Sequence, residues 1–246
     1  MELDRLPVKD GFRLRGEAVT RLETFVDAAF AFAVTLLVVS FDRVPGTFAE
    51  LMDAMRRVPA FLCGFAMLTV FWAAHNRFSR RYGLEDAPVV VLTLGLVAVV
   101  LVYIFPLRIL MAGMMAFFTG GWAPGDLDID SMDDLRAVYF VYGAGFLAMN
   151  GVFVALNHHA LRRAAFLGLD AGERESTRSE RNTYLLLGAS ALLSITLAIV
   201  LPMHGDWQKA APGLAYALLT FVMPAYGVHA DRAYRKVMAA RSADAQ

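Results

Sequence analysis

Cysteine is nearly missing from this chain: Cys63 stands alone among 246 residues. One thiol cannot close an intrachain disulfide, and CxxC metal or redox motifs are absent. Cys63 lies in an apolar run, where its expected role is that of a small core hydrophobe. Charge is scarce as well. Asp, Glu, Lys and Arg make up 19% of the residues and cancel to a formal net charge of zero. The basic residues are spread over the loops between apolar runs, so a nucleic-acid partner is not expected. The sequence holds no nucleophile constellation, no metal cluster and no phosphate-binding loop, so neither catalysis nor a cofactor is expected. Internal repeats are not apparent.

What the chain has instead is apolar length. Its 58% hydrophobic content and mean hydropathy of +0.51 exceed those of an ordinary soluble domain of this size. A bilayer core about 30 Å thick takes roughly 20 apolar residues as helix. Six segments approach that length, at about 22–41, 58–78, 87–106, 137–157, 184–202 and 211–229. The expectation is an all-α polytopic membrane protein, residues 1–246 forming a single six-helix domain with no soluble domain left over. The opening "MELDRLPVKDGFRLRGEAVTR" is mixed in charge. The apolar run after it is too long, and too polar at its start, for a cleavable signal, so the first span is expected to be permanent.

Orientation follows from the basic residues. Seventeen of the 23 Lys and Arg fall on the side of the two termini and six on the other. Both termini are therefore expected to be cytoplasmic, in a plasma-membrane protein.

Turn signals mark the loops. Thr47 and Glu50 have capping-box spacing, which predicts a short amphipathic helix on the outer face. Ser131 and Asp134 can start the fourth span in the same way. Asp126, Asp128 and Asp130 are spaced like the opening of a calcium loop, but Ser131 replaces the required glycine and Ala137 the twelfth-position Glu. A solvated acidic turn is the expectation, with no structural metal. Pro106 should end or kink the third helix, leaving "LMAGMMAFF" at the interface. The stretch "DAGERESTRSERN" reads as a charged linker or helix start.

Ionisable groups inside spans cost of order 2.5 to 3.5 kcal/mol at a helix centre, so each one is a functional hypothesis. Asp27 lies about six residues, or roughly 9 Å, into the first helix. The antiparallel second helix ends in "FWAAHNRF", which brings His75 and Asn76 to a similar depth. An Asp27–His75 contact, with Asn76 or Trp72 as further donor, would clamp the two helices together. Arg21 reads as an interfacial anchor for anionic headgroups. Further along, Phe32, Leu36 and Val39 recur at i, i+4 and i+7 with Thr35 one step aside, and periodicity alone makes this a packing stripe.

The segment "RLETFVDAAFAFAVTLLVVSF" followed by "FWAAHNRF" resembles the bacterial members of the transmembrane protein 175 family of potassium channels. The matching positions are Arg21, Phe25, Asp27, Ala28, Phe30, Ala31, Thr35, Leu36 and Leu37, with Trp72 and His75 in the second helix. The resemblance implies a homotetramer in the lipid bilayer whose first helices line a central path for K⁺ and other monovalent cations. It places the hydrophobic constriction on Phe32, the next apolar pore positions on Leu36 and Val39, and the hydroxyl layer linked to selectivity on Thr35. In agreement, no TVGYG-like filter is found, and "VYGAGF" lies within a span. Two positions depart from the family pattern. Val26 stands for its serine, and Phe32 for its branched aliphatic residue, so either the phenyl ring tightens the seal or it turns away and leaves Leu36 as the narrowest point.

Two other readings stay open on the residues. Asp27 and His75 could serve as acid and base, or as a proton relay, in a proton-coupled transporter or membrane enzyme. Against this, only Pro106 interrupts a span, near its end, where transporters show broken helices at mid-membrane. A permanently sealed structural subunit is the third reading, supported by the bulk of Phe32.

Overall fold

The computed structural model describes residues 5–38, 45–125, 129–202 and 204–244. Val39, Asp126 and Asp128 lie outside the described residues. Among the described residues the regular structure is helical, apart from a two-stranded antiparallel hairpin near the N-terminus, β1 (Val8–Lys9) and β2 (Phe12–Arg13). The helices are α1 (Arg21–Val38), α2 (Phe48–Tyr82), α3 (Ala87–Phe118), α4 (Met132–Arg162), α5 (Ala171–Val200), α6 (Asp206–Ala217) and α7 (Leu219–Asp244).

Among the described residues, α2, α3, α4, α5 and the stretch Trp207–Ala240 are each long and apolar enough to cross a membrane. The first helix supplies the sixth apolar segment, with Arg21, Glu23 and Asp27 along its first two turns. The chain is thus a six-segment, all-α, polytopic membrane protein.

Local chemistry sets the helix starts. In α4 the Asp134 amide donates to Ser131 Oγ at 3.1 Å and the Ser131 amide returns to Asp134 Oδ2 at 3.0 Å, the expected capping box. The stretch from Asp170 proves to be a helix start of the same kind. Asp170 Oδ1 accepts from the Glu173 amide at 2.9 Å, and Glu173 Oε2 from the Asp170 amide at 3.0 Å.

Three expectations are corrected. Thr47 does cap a helix, its Oγ1 accepting from the Glu50 amide at 3.2 Å, but that helix is no separate outer-face piece. It continues through Pro59 as α2, 35 residues or about 52 Å long. Nor does Pro106 end α3, which runs on through "LMAGMMAFF" to Phe118. A proline removes only the bond to the carbonyl four residues back, here that of Val102, while Ile104, Leu107 and Met111 stay buried on the core side. The last span, by contrast, is divided at Leu218 into α6 and α7.

The core runs through the bundle along the facing sides of α2 to α5. Phe153 of α4 is fully buried between Tyr184 of α5, stacked at 4.8 Å between ring centroids, and Phe71 of α2 at 6.1 Å. Gly145 of α4 faces the Tyr103 ring of α3 so closely that a Cβ there would overlap it. The N-terminal hairpin and α7 meet at one end of the bundle, where Asp10, Asp231 and Tyr234 line a shared cavity of about 400 Å³. Both ends of the described chain therefore gather on one face, here called the termini face.

Candidate functional site

At 100° per residue, α1 has two distinct sides. One holds Val26, Phe30, Ala33 and Leu37, exposed by only 1%, 4%, 0% and 3%, and these pack on the core. The other carries Arg21, Phe25, Ala28, Phe32 and Thr35, all exposed. Phe32 is 56% exposed and Phe25 52%, large for aromatic rings on a helix whose opposite side is sealed. Leu36 is half-buried, turned partly back toward the core cluster. The Thr35 hydroxyl donates to the Ala31 carbonyl of its own helix at 3.0 Å, which leaves its oxygen lone pairs turned outward. Val26, the valine in place of serine, faces the interior, where an added hydroxyl would need a buried partner.

Asp27 flanks the exposed side and finds its partner on α2. The Trp72 indole Nε1 donates to Asp27 Oδ1 at 2.7 Å. His75, the expected first partner, is instead 2% exposed and within 3.2 Å of Thr93 Oγ1 on α3. Helical phase explains the difference. Three residues turn 300°, so His75 falls in register with the buried Leu68, Phe71, Phe78 and Tyr82, while Trp72 stays at the edge beside α1. Asn76 is half-buried one residue further on, outside this hydrogen bond. The carboxylate and the imidazole thus sit in separate hydrogen bonds.

Sequence reasoning missed a second polar assembly, at the termini face. Arg15 and Glu173 form a buried ion pair at 2.8 Å, and Arg13 reaches both Asp170 and Glu173 at 3.0 and 3.1 Å. The Phe12 ring lies under the Arg81 guanidinium, 4.8 Å from its centroid, and meets Tyr82 edge-on at 5.5 Å. The Tyr82 hydroxyl donates to Thr177 Oγ1 at 2.8 Å. The only local hint was the Asp170 and Glu173 spacing, which marks a helix start but says nothing of two arginines far back in the chain.

Close by, Asp86 at the N-cap of α3 is held by His159 at 2.8 Å and Arg163 at 3.1 Å. Burial works against its charge, but the hydrogen bond and charge of His159, an amide bond from Val89 and the Arg163 contact outweigh it. The carboxyl is held below its ordinary value.

The profile described as the endosomal/lysosomal potassium channel TMEM175 matches residues 21–106, which include α1, α2 and most of α3. A protein of Marivirga tractuosa named "Potassium channel" is 31% identical over 232 residues, covering 92% of this chain and 94% of the relative. The chain belongs to the TMEM175 potassium channel family. The crystal structure of a variant of the potassium channel MtTMEM175, bound to a nanobody–MBP fusion protein, is similar at a TM-score of 0.80 and 30% identity. That likeness covers 92% of this chain and all of the other, so the TMEM175 fold extends past the residues of the family profile to the whole bundle.

Proposed function

We propose that four copies of this chain form a K⁺-permeable cation channel of the plasma membrane, with α1 of each copy lining a central path. The observation that carries this reading is the two-sided first helix. Its inner side is sealed against α2 and α3, while Phe25, Ala28, Phe32 and Thr35 stand uncovered on the other. Phe32 forms the constriction in this arrangement, because its ring stands clear of the core whereas Leu36 is partly packed into it. Four such rings around an axis make a short apolar collar that sheds water and blocks ions until the helices part. Thr35, nearly one turn further along, offers hydroxyl oxygens to a partly dehydrated cation. Leu36 and Val39 continue the apolar lining. The Lys and Arg distribution supports a cytoplasmic termini face. The choice of potassium as the permeant ion is supported by the two relatives, both described as potassium channels.

The test is flux from liposomes holding the purified protein under a K⁺ gradient. Phe32→Ala should raise basal K⁺ efflux severalfold, and Leu36→Ala should raise it less. Unchanged flux in both variants would remove α1 from the path.

A further inference from the structure

Just ahead of α1, the chain is fastened to the rest of the bundle. The side chains of Arg15 and Glu173 are 2% and 1% exposed. Arg15 Nη2 and Nη1 donate to the two Glu173 oxygens at 2.8 and 3.2 Å, its Nε to the Leu167 carbonyl at 2.8 Å, and Nη1 also to the Arg13 carbonyl at 2.8 Å. A forked guanidinium–carboxylate pair of this kind fixes direction as well as distance.

The next residue is fastened too. The Gly16 amide donates to the Arg80 carbonyl at 3.0 Å, and Arg80 Nη1 donates back to the Gly16 carbonyl at 3.0 Å. The approach is so close that a Cβ on Gly16 would lie 2.5 Å from the Ser79 carbonyl oxygen. Gly83, at φ +56°, ends α2 in the left-handed region, and a Cβ there would lie 2.8 Å from the Arg15 carbonyl oxygen.

Only Glu17, Ala18 and Val19 then separate this fastening from Thr20, where α1 is capped. The Thr20 amide donates to Glu23 Oε2 at 2.9 Å and the Glu23 amide to Thr20 Oγ1 at 3.2 Å. Four Cα steps from Gly16 to Thr20 reach at most about 14 Å, so the start of α1 cannot travel far from its anchor.

We propose that Arg15 and Glu173 are positioning residues for conduction: they hold the termini-face end of α1 as a pivot, and the helices part by swinging at the opposite end. This rests on α1 lining the path. A salt bridge that served stability alone would alter melting and leave flux through the assembled channel unchanged.

The experiment uses the full chain in liposomes. Arg15→Met and the milder Glu173→Gln are each compared with the parent for tetramer content, basal K⁺ efflux, and amide hydrogen exchange over residues 16–25. Assembled tetramers of either variant should show at least threefold faster efflux and at least tenfold faster exchange in that segment. The double exchange of Arg15→Glu with Glu173→Arg should bring both at least halfway back. Arg178→Ala, which removes an exposed ion pair with Glu175 on the same helix, should change neither. If Arg15→Met fails to assemble, Glu173→Gln is decisive by the same readings. Assembled variants with parental flux and parental exchange overturn the pivot. Phe32→Ala run alongside separates the two ideas. Raised flux there with unmoved Arg15 and Glu173 variants leaves the lined path standing and removes the pivot. Unmoved flux there, with exchange accelerated at 16–25, keeps the fastening but removes its link to conduction, and so overturns the proposal through the pore.

Discussion

Trp72 Nε1 and Asp27 Oδ1 meet at 2.7 Å across the seam between α1 and α2, joining an indole edge to the carboxylate of the first apolar segment. Asp27 is an acceptor that needs a donor at that depth, and Trp72→Phe keeps a smaller aromatic ring while deleting the N–H. A hydrogen bond to a charged group contributes about 1.5 to 3 kcal/mol. Trp72→Phe should therefore lower the melting temperature in detergent by several degrees and reduce tetramer yield. Asp27→Asn, which still accepts a bond, should lower them less, and equal losses in both variants would show that the carboxylate charge rather than the N–H dominates.

Thr35 carries the hydroxyl nearest the proposed collar. Thr35→Val keeps the branched shape and loses the oxygen, so K⁺ over Na⁺ preference, read from bi-ionic reversal potentials, should fall at least twofold while conduction persists. An unchanged ratio would take Thr35 out of selectivity.

Asp86 gives a pH dependence of defined sign. Its carboxyl is held below the ordinary value in the folded chain, so its contribution to stability is complete above about pH 4 and is lost as pH falls through the depressed value. Asp86→Asn should destabilise the protein by about 1 kcal/mol at neutral pH. Thermal melts should show that gap closing as pH falls through the depressed value. A gap that widened in acid would contradict the assignment of His159 and Arg163 as the stabilising partners.

Gly145 leaves room for the Tyr103 ring, whose hydroxyl donates to the Tyr142 carbonyl at 3.2 Å. Gly145→Ala would push the ring from that place at a cost of about 1 to 3 kcal/mol. Melting should reveal it, and Tyr103→Leu in the same chain should recover part of the loss.

Much of this architecture was legible because its signals are local. Apolar length marked the spans, and the Ser131–Asp134 and Thr47–Glu50 pairs marked helix starts three residues ahead of the turns they stabilise. The motif shared by α1 and α2 named the family. Pro106 did not end α3, since one missing N–H does not outweigh the burial of Leu107 and Met111 beyond it. His75 was paired with Asp27 by depth alone, and depth ignores rotation about α2. The ionic cluster at the termini face left only the Asp170–Glu173 spacing as a hint, because Arg15 and Glu173 lie 158 residues apart and nothing local to either points to the other.

That separation has a consequence for how the chain is made. Ribosomes add about 5 to 20 residues per second, so the first helix is complete roughly 7 to 27 s before Glu173 has been synthesised. For that interval Arg15 lacks the Glu173 carboxylate it pairs with in the finished fold, and the helix it will steady lacks that fastening. Its final seat is set late, after α4 has been threaded and the start of α5 has emerged. A nascent chain stalled before residue 170 should therefore hold its first helix loosely, and the segment made earliest is among the last to be locked.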